Sequence, residues 1–338
     1  MAIKTGDLIS AKEIKEKYKL SEKNKENLEK HKIELENIFN GKDDRKILII
    51  GPCSADFEES LYKYAEFLSN LQKKVEDKIK IVMRFYTGKP RTVGGWKGLQ
   101  NSVPGEKPDL ISGIENSRRI AINVIEKYNL PLADELLHPQ LVNYFDDIFS
   151  YFAIGARSTE NQFHREVASG LEIPVGMKNP SSGDISIMSN SIKAGQTIST
   201  YIIGEEVYNT KGNNLTHGVL RGGSSGPNYS LENISKTYQN NIKNKIHNPG
   251  LIIDCNHSNS GKKFEKQVKI MEEVIESISS NNDLKKFVKG FMIESYLYNG
   301  RQDFENIETV KKGLSLTDPC VGKEGTIELI EKLYKLIK

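Results

Sequence analysis

The sequence has few cysteines and no long apolar run, and each shortage excludes a class of protein. Its three cysteines, Cys53, Cys255 and Cys320, are too few and too far apart for a disulfide scaffold, so we expect free thiols or metal ligands. No uninterrupted apolar run reaches the length of a membrane span, and the first residues lack the apolar core of a secretory signal. These features predict a cytoplasmic protein without membrane contact.

The charge is nearly balanced, which removes the main reason to bind nucleic acid. The 338 residues include 48 Lys and Arg against 45 Asp and Glu, a net charge of +3. The hydrophobic content of 37% is typical of a globular protein, and the length allows either one large α/β barrel with an extension or two medium domains. The Walker motif GxxxxGK[ST] does not occur, so a nucleotide-binding loop is not expected.

Eight short apolar runs follow residue 45, and each ends in polar or charged residues before a helical stretch. The runs begin at Lys46, Lys80, Pro131, Tyr151, Ile173, Gly218, Leu251 and Val288. Eight such repeats predict an α/β protein with a closed (β/α)8 TIM barrel, and an open doubly wound sheet is the competing arrangement. Residues 196–217 are long for a loop and predict an inserted excursion between the fifth helix and the sixth strand.

The first 45 residues differ in composition from the rest, being rich in Lys, Glu and Asn. Apolar positions in this segment are spaced for a helix that ends near Gly41. These positions are Leu28, Leu35, Ile38 and Phe39. We interpret residues 1–45 as an N-terminal extension for oligomer contacts or regulation, and residues 46–338 as the catalytic barrel.

Basic residues close four of the eight runs: Arg84 the second, Arg157 the fourth, Lys178 the fifth and Arg221 the sixth. The active site of a (β/α)8 barrel lies at the carboxyl ends of the strands, so these cations would converge on one rim. Like charges so close together require compensating anions, and guanidinium groups suit carboxylate and phosphate. The pattern predicts a small polyanionic ligand, although surface salt bridges are the alternative.

A second basic segment follows the second run. It reads Lys89, Pro90, Arg91, Thr92, and a glycine-rich stretch with Trp96 and Lys97 comes after it. The proline restricts the turn, while the basic side chains and the hydroxyl offer donors to a phosphorylated substrate. A solvated basic loop would have the same composition, so the segment alone leaves both interpretations open.

Four potential metal ligands lie at the ends of the first, seventh and eighth runs or soon after. They are Cys53, His257, Glu294 and Asp318. Closure of the barrel would make these runs neighbours, so the four side chains could meet. A thiolate, an imidazole and two carboxylates favour a divalent transition ion, namely Mn2+, Fe2+, Co2+ or Zn2+, over magnesium or calcium. The alternative is a core cysteine, a locally bonded histidine and two rim acids.

From about Gly41 to the C-terminus the chain resembles a known family, the class I 3-deoxy-D-arabino-heptulosonate 7-phosphate (DAHP) synthases. The resemblance rests on motifs at separated strand ends and in the loops after them. These motifs are Gly51-Pro-Cys-Ser54, Met83-Arg84, Lys89-Pro-Arg-Thr92, Gly94-Gly-Trp-Lys-Gly98, Gly155-Ala-Arg157, Lys178-Asn179, Leu220-Arg-Gly-Gly223, Pro227-Asn-Tyr-Ser230, His257-Ser-Asn259, Ile293-Glu-Ser295 and Thr317-Asp318.

The resemblance implies condensation of phosphoenolpyruvate with erythrose 4-phosphate and water to give DAHP and phosphate, the first step of the shikimate pathway. It also implies a homodimer or homotetramer. The Lys-Pro-Arg-Thr segment from Lys89 to Thr92 argues against the related synthase that uses arabinose 5-phosphate.

The resemblance further assigns a role to each site residue. The metal ligands would be Cys53, His257, Glu294 and Asp318; the residues that bind phosphoenolpyruvate would be Arg84, Ala156, Arg157, Lys178 and Arg221; those that receive the aldose phosphate would be Lys89, Pro90, Arg91 and Thr92. Glu135 would position water. Lys89, Lys178, Glu135 and His257 are therefore the catalytic candidates.

Two rival functions are compatible with parts of the pattern. A Schiff-base aldolase would use Lys178 as its nucleophile and would need no metal. A sugar-phosphate sensor would bind the ligand without releasing phosphate and would signal through residues 1–45. Neither rival explains the four proposed metal ligands.

Overall fold

Parallel strands close into a barrel in the computed structural model of the chain, which describes residues 2–91, 94–303 and 307–337. In chain order the strands are β1 (Lys46–Gly51), β2 (Ile79–Arg84), β3 (Leu132–Glu135), β4 (Tyr151–Ile154), β5 (Val175–Lys178), β6 (Thr200–Ile203), β7 (Glu206–Asn209), β8 (Thr216–Leu220), β9 (Leu251–Asp254) and β10 (Val288–Glu294). The barrel order is β1, β10, β9, β8, β5, β4, β3, β2, and β1 pairs with both β2 and β10. The predicted (β/α)8 barrel is confirmed.

Two helices precede β1, and most of the others pack around the outside of the barrel. The helices are α1 (Ala11–Lys17), α2 (Glu22–Phe39), α3 (Glu58–Val75), α4 (Leu110–Tyr128), α5 (Gln162–Ser169), α6 (Ile185–Gly195), α7 (Leu231–Lys243), α8 (His257–Ser260), α9 (Lys266–Ile278), α10 (Asn282–Phe287) and α11 (Lys323–Leu336). Side-chain caps fix several starts: the Asp109 carboxylate accepts from two backbone N–H groups at the start of α4. Between β3 and β4 the connection is a 3-10 helix, Pro139–Tyr144, instead of an α-helix.

The barrel interior is a separate apolar cluster, and α2 contributes to it. Leu35, Ile38 and Phe39 of α2 are buried together with inward-facing residues of the strands, such as Ile47 and Ile49. The Phe39 ring lies 4.2 Å from the ring of His217, near the start of β8. Helix α2 therefore covers the amino-terminal end of the barrel and leaves the carboxyl end for the site. The division of the chain at residue 45 stays a prediction.

Truncating a buried residue of α2 should destabilise the whole barrel. Leu35 has no exposed surface, and we expect Leu35→Ala to lower the free energy of unfolding by about 2 to 5 kcal/mol because a cavity is left behind. Ile33 on the same helix is 48% exposed, so Ile33→Ala should change it by less than about 0.5 kcal/mol. Denaturant unfolding of both variants checks this, and equal losses would contradict the packing of α2.

The predicted excursion is an antiparallel hairpin of β6 and β7. The rings of Tyr201 and Tyr208 stack at 5.1 Å on one face, whereas Ile202 and Val207 are exposed. The sixth barrel strand begins at Thr216, two residues before the predicted start. Its polar residues Thr216 and His217 are buried because they form hydrogen bonds to the Ile192 carbonyl and the Tyr151 hydroxyl.

No helix among the described residues combines the length and apolar character that crossing a membrane requires.

His217 shows how this early part of β8 is accommodated. Its ring is fully buried and bonds the Tyr151 hydroxyl and the Leu215 carbonyl, each at 2.9 Å. Burial lowers the pKa of His217 to about 3, so the ring is neutral near pH 7. A neutral histidine whose two ring nitrogens are both hydrogen-bonded is compatible with an apolar barrel interior.

Candidate active site

A cavity of about 260 Å³ lies at the carboxyl ends of the barrel strands. All the predicted site residues within the described ranges line it; Thr92 lies outside those ranges. Lysine and arginine side chains predominate: Arg84, Lys89, Arg91, Arg157, Lys178, Arg221 and Lys262 face the cavity together with the carboxylates of Glu135, Glu294 and Asp318. This excess of positive charge favours an anionic ligand.

One side of the cavity holds a group of three potential metal ligands, Cys53, Glu294 and Asp318, called here the Cys53 cluster. One ligand atom from each lies within 4.8 Å of the others. Cys53 follows β1 and Glu294 ends β10, and these strands are paired with Gly51 opposite Glu294. Barrel closure therefore brings together side chains from opposite ends of the sequence.

The fourth predicted ligand, His257, lies beside this cluster. Its Nε2 atom is 3.7 Å from Glu294 Oε1, and its Nδ1 atom is 2.8 Å from Asp254 Oδ2, at an angle outside hydrogen-bond geometry. Asp254 also accepts from Lys178 Nζ at 3.1 Å. Burial opposes the charge on Asp254, but His257 and Lys178 bring the pKa of this carboxyl well below its usual range. The buried Asp254 carboxylate therefore accepts from Lys178 and lies beside the His257 ring.

Lys89 connects the Cys53 cluster to the basic segment. Its Nζ atom lies 2.8 Å from Cys53 Sγ and 3.3 Å from Asp318 Oδ2. Burial opposes the charge on Lys89, but Cys53 and Asp318 raise its pKa above the ordinary value. Burial raises the pKa of the Cys53 thiol, and the charge of Glu294 adds to this. The Lys89 ammonium thus donates a hydrogen bond to the sulfur of Cys53.

Arg84 is almost completely buried beneath the cavity. Its Nη2 atom donates to Glu294 Oε1 at 3.1 Å, and its guanidinium lies 3.8 Å from the centre of the Tyr86 ring. The Nη1 atom is buried and has no hydrogen-bond partner among the residues that the structure describes. A buried donor without a partner is costly, so an anionic ligand in the cavity would stabilise this arrangement.

Three asparagines hold the loop that begins at Arg221. The Arg221 N–H donates to Asn179 Oδ1 at 2.9 Å, and Asn228 Nδ2 donates to the same oxygen at 3.0 Å. The Asn228 N–H in turn donates to Asn259 Oδ1 at 2.9 Å. Gly222 has a φ of 76°, and a Cβ there would lie 2.6 Å from the Asn259 nitrogen, so this turn requires glycine.

Glu135 ends β3 and lies against Gly155, which follows β4. A Cβ atom at position 155 would overlap the Glu135 carboxylate. We expect Gly155→Ala to displace this carboxylate. For the reaction that the resemblance implies, kcat should fall about 100-fold, since a misplacement of about 1 Å in an active site can slow a reaction by this factor. The obstacle is the end of one side chain, so the thermal unfolding midpoint should stay close to that of the wild type. Steady-state kinetics check the prediction, and unchanged kcat would contradict it.

A closed parallel barrel whose carboxyl end combines clustered cations with a thiol and carboxylates defines the class: a (β/α)8-barrel enzyme that acts on small anionic substrates. A family model described as "DAHP synthetase I family" matches residues 17–331. The chain belongs to this family, as its motifs predicted.

Named relatives agree with the family. The chain is 37% identical over 324 residues to the phospho-2-dehydro-3-deoxyheptonate aldolase of Haemophilus influenzae, covering 94% of this chain and 88% of that protein. The protein of the same name from Corynebacterium glutamicum is 35% identical over 332 residues, again covering 94% and 88%. The solved structure of the Francisella tularensis SCHU S4 protein of this name superposes with a TM-score of 0.94 at 34% identity, covering 100% of this chain and 98% of that one.

Proposed function

We infer that this chain condenses phosphoenolpyruvate with D-erythrose 4-phosphate and water to give DAHP and inorganic phosphate. The observation that carries this conclusion is the cation-lined cavity joined to the Cys53 cluster in a member of the DAHP synthetase I family. Relatives named phospho-2-dehydro-3-deoxyheptonate aldolase, similar over most of their length, support it.

The cavity offers two regions for the two phosphorylated substrates. Phosphoenolpyruvate carries a carboxylate and a phosphate, and it would lie among Arg84, Arg157, Lys178 and Arg221, with the backbone of Ala156 beside it. The aldose phosphate would lie at Lys89, Pro90 and Arg91, with Thr92 as a further candidate outside the described residues. In this arrangement the aldehyde end of the second substrate would lie near the Cys53 cluster.

A divalent transition ion would be held by the Cys53 cluster together with His257. The distances within the cluster and the mixture of sulfur, nitrogen and oxygen donors fit such an ion, whether Mn2+, Fe2+, Co2+ or Zn2+. When bound, the ion would supply Lewis-acid polarisation of the aldehyde or of a water molecule.

The chain's own residues would orient the reactants and stabilise developing charge. The reaction joins C3 of phosphoenolpyruvate to the aldehyde carbon, adds water at C2 and releases phosphate from C2. Glu135 would position the water, and Lys89 and Lys178 would stabilise charge on oxygen or transfer a proton. Since Lys178 contacts the buried Asp254 carboxylate, its geometry favours a fixed cation over a Schiff-base nucleophile.

Product identification tests the proposed function. Purified protein should release phosphate and form DAHP from phosphoenolpyruvate and erythrose 4-phosphate, but form little product from arabinose 5-phosphate. A chelator should stop turnover, and Mn2+ should restore it. Product from arabinose 5-phosphate alone would assign a different synthase, and turnover unaffected by complete metal removal would reject the metal site.

The same assays separate the rival functions. A sensor would bind both substrates without releasing phosphate, and a Schiff-base aldolase would be inactivated by borohydride in the presence of substrate. We further propose a cytoplasmic homodimer or homotetramer in which residues 1–45 contribute contacts. Light scattering of the full chain and of a variant lacking the first ten residues would measure the assembly.

A further inference from the structure

Lys262 is a cavity residue that neither the motifs nor the proposed roles include. Its Nζ atom lies 2.8 Å from Asp318 Oδ1. The other oxygen, Oδ2, is 3.7 Å from Cys53 Sγ and 3.3 Å from Lys89 Nζ. The two carboxylate oxygens of Asp318 therefore have different partners: Oδ1 contacts Lys262, whereas Oδ2 faces Cys53 and Lys89.

The backbone of Lys262 makes a second connection. Its N–H donates to the His257 carbonyl at 2.8 Å, which closes the turn from His257 to Lys262. This turn is unusual, because His257 (φ 48°) and Lys262 (φ 60°) both occupy the left-handed region that non-glycine residues rarely adopt. One residue thus contacts two candidate metal ligands that come from different loops.

The contact differs from an ordinary surface ion pair. The side chain of Lys262 is 58% exposed, but that of Asp318 is only 17% exposed, and its charge is shared with Lys89. Exposed ion pairs contribute little to stability, so we expect little effect of Lys262 on folding. Partners that hold a metal ligand in place from outside commonly change metal affinity by about 10- to 100-fold.

We propose that Lys262 is a positioning residue that holds Asp318 Oδ1, so that Oδ2 meets the metal ion at the Cys53 cluster. This inference rests on the proposed function, because it assumes that Asp318 is a metal ligand. The turn that ends at Lys262 would then hold both candidate metal ligands: His257 through the backbone hydrogen bond and Asp318 through the lysine side chain.

Co2+ binding to the metal-free protein tests this role apart from turnover. We expect Lys262→Met to weaken Co2+ binding about 10-fold and to change the visible absorption spectrum of the bound Co2+, which reports its ligands. Lys262→Arg should restore most of the affinity and the spectrum. The matched control is Lys263→Met, which removes the same charge from the adjacent exposed residue and should bind Co2+ as the wild type does.

Two results would overturn the proposal: Lys262→Met with wild-type affinity and spectrum, or Lys263→Met with an equal loss, which would indicate a general effect of charge. Circular dichroism of each variant confirms that it is folded. Failure of the proposed function gives a different result, because the wild-type protein would then bind no Co2+ or form no DAHP.

Discussion

Cys53→Ala should abolish metal-dependent activity, with a loss of at least about 100-fold in kcat. The reason is the place of its sulfur, which is 3.7 Å from Asp318 Oδ2 and within 4.8 Å of the ligand atom of Glu294. Removing this sulfur takes away the soft donor of a mixed site and leaves two carboxylates beside His257. Phosphate release measured with added Mn2+ gives the size of the effect.

Cys320→Ala is the matched control for this substitution. Cys320 is also fully buried, but the hydrogen bond of its Sγ atom goes to the backbone carbonyl of Asp318 at 3.6 Å. We expect this variant to keep most of its activity and to bind the same amount of metal. Equal losses in the two variants would contradict the assignment of Cys53 as a ligand.

Lys178→Met should lower kcat/KM by about 10² to 10³-fold, because it removes a cation from the phosphoenolpyruvate region and takes away the lysine partner of the buried Asp254 carboxylate. Lys178→Arg keeps a positive charge that can contact Asp254 and should retain measurable turnover. Steady-state kinetics with phosphoenolpyruvate as the varied substrate separate the two variants.

A Schiff-base mechanism predicts a different outcome at this position. It requires the primary amine of Lys178, so Lys178→Arg would be as inactive as Lys178→Met, and borohydride would attach substrate to the wild-type protein. Mass spectrometry of protein treated with borohydride and both substrates should show no adduct at Lys178. An adduct at Lys178 would refute the proposed mechanism and support a Schiff-base aldolase.

The barrel could be predicted because its strands are buried on both faces and appear as short continuous apolar runs. The start of β8 could not, since Thr216 and His217 are polar and become compatible with burial only through partners such as Tyr151. The pattern of apolar positions does not indicate helix α1 either, although Ser10 and Glu13 form a capping box at its start. Both features depend on side-chain contacts that the pattern of apolar runs does not include.

The ends of the strands indicated the side chains that surround the cavity, because barrel closure determines which ends meet. The supporting residues were harder to find. Asp254 ends an apolar run just as Glu294 does, so its position was an available signal. Lys262 offered none, because its partner Asp318 is 56 residues away and the contact depends on a turn with unusual backbone angles.

A crystal structure with Mn2+ and phosphoenolpyruvate, recorded with anomalous scattering from the metal, would show whether Cys53, His257, Glu294 and Asp318 hold the ion. We expect one anomalous peak about 2.0 to 2.5 Å from Cys53 Sγ, a ring nitrogen of His257 and oxygens of Glu294 and Asp318. The enol phosphate should lie beside it against Arg84 and Lys178. A fully loaded crystal whose metal lies elsewhere, with Cys53 making no contact to it, would refute the proposed metal site.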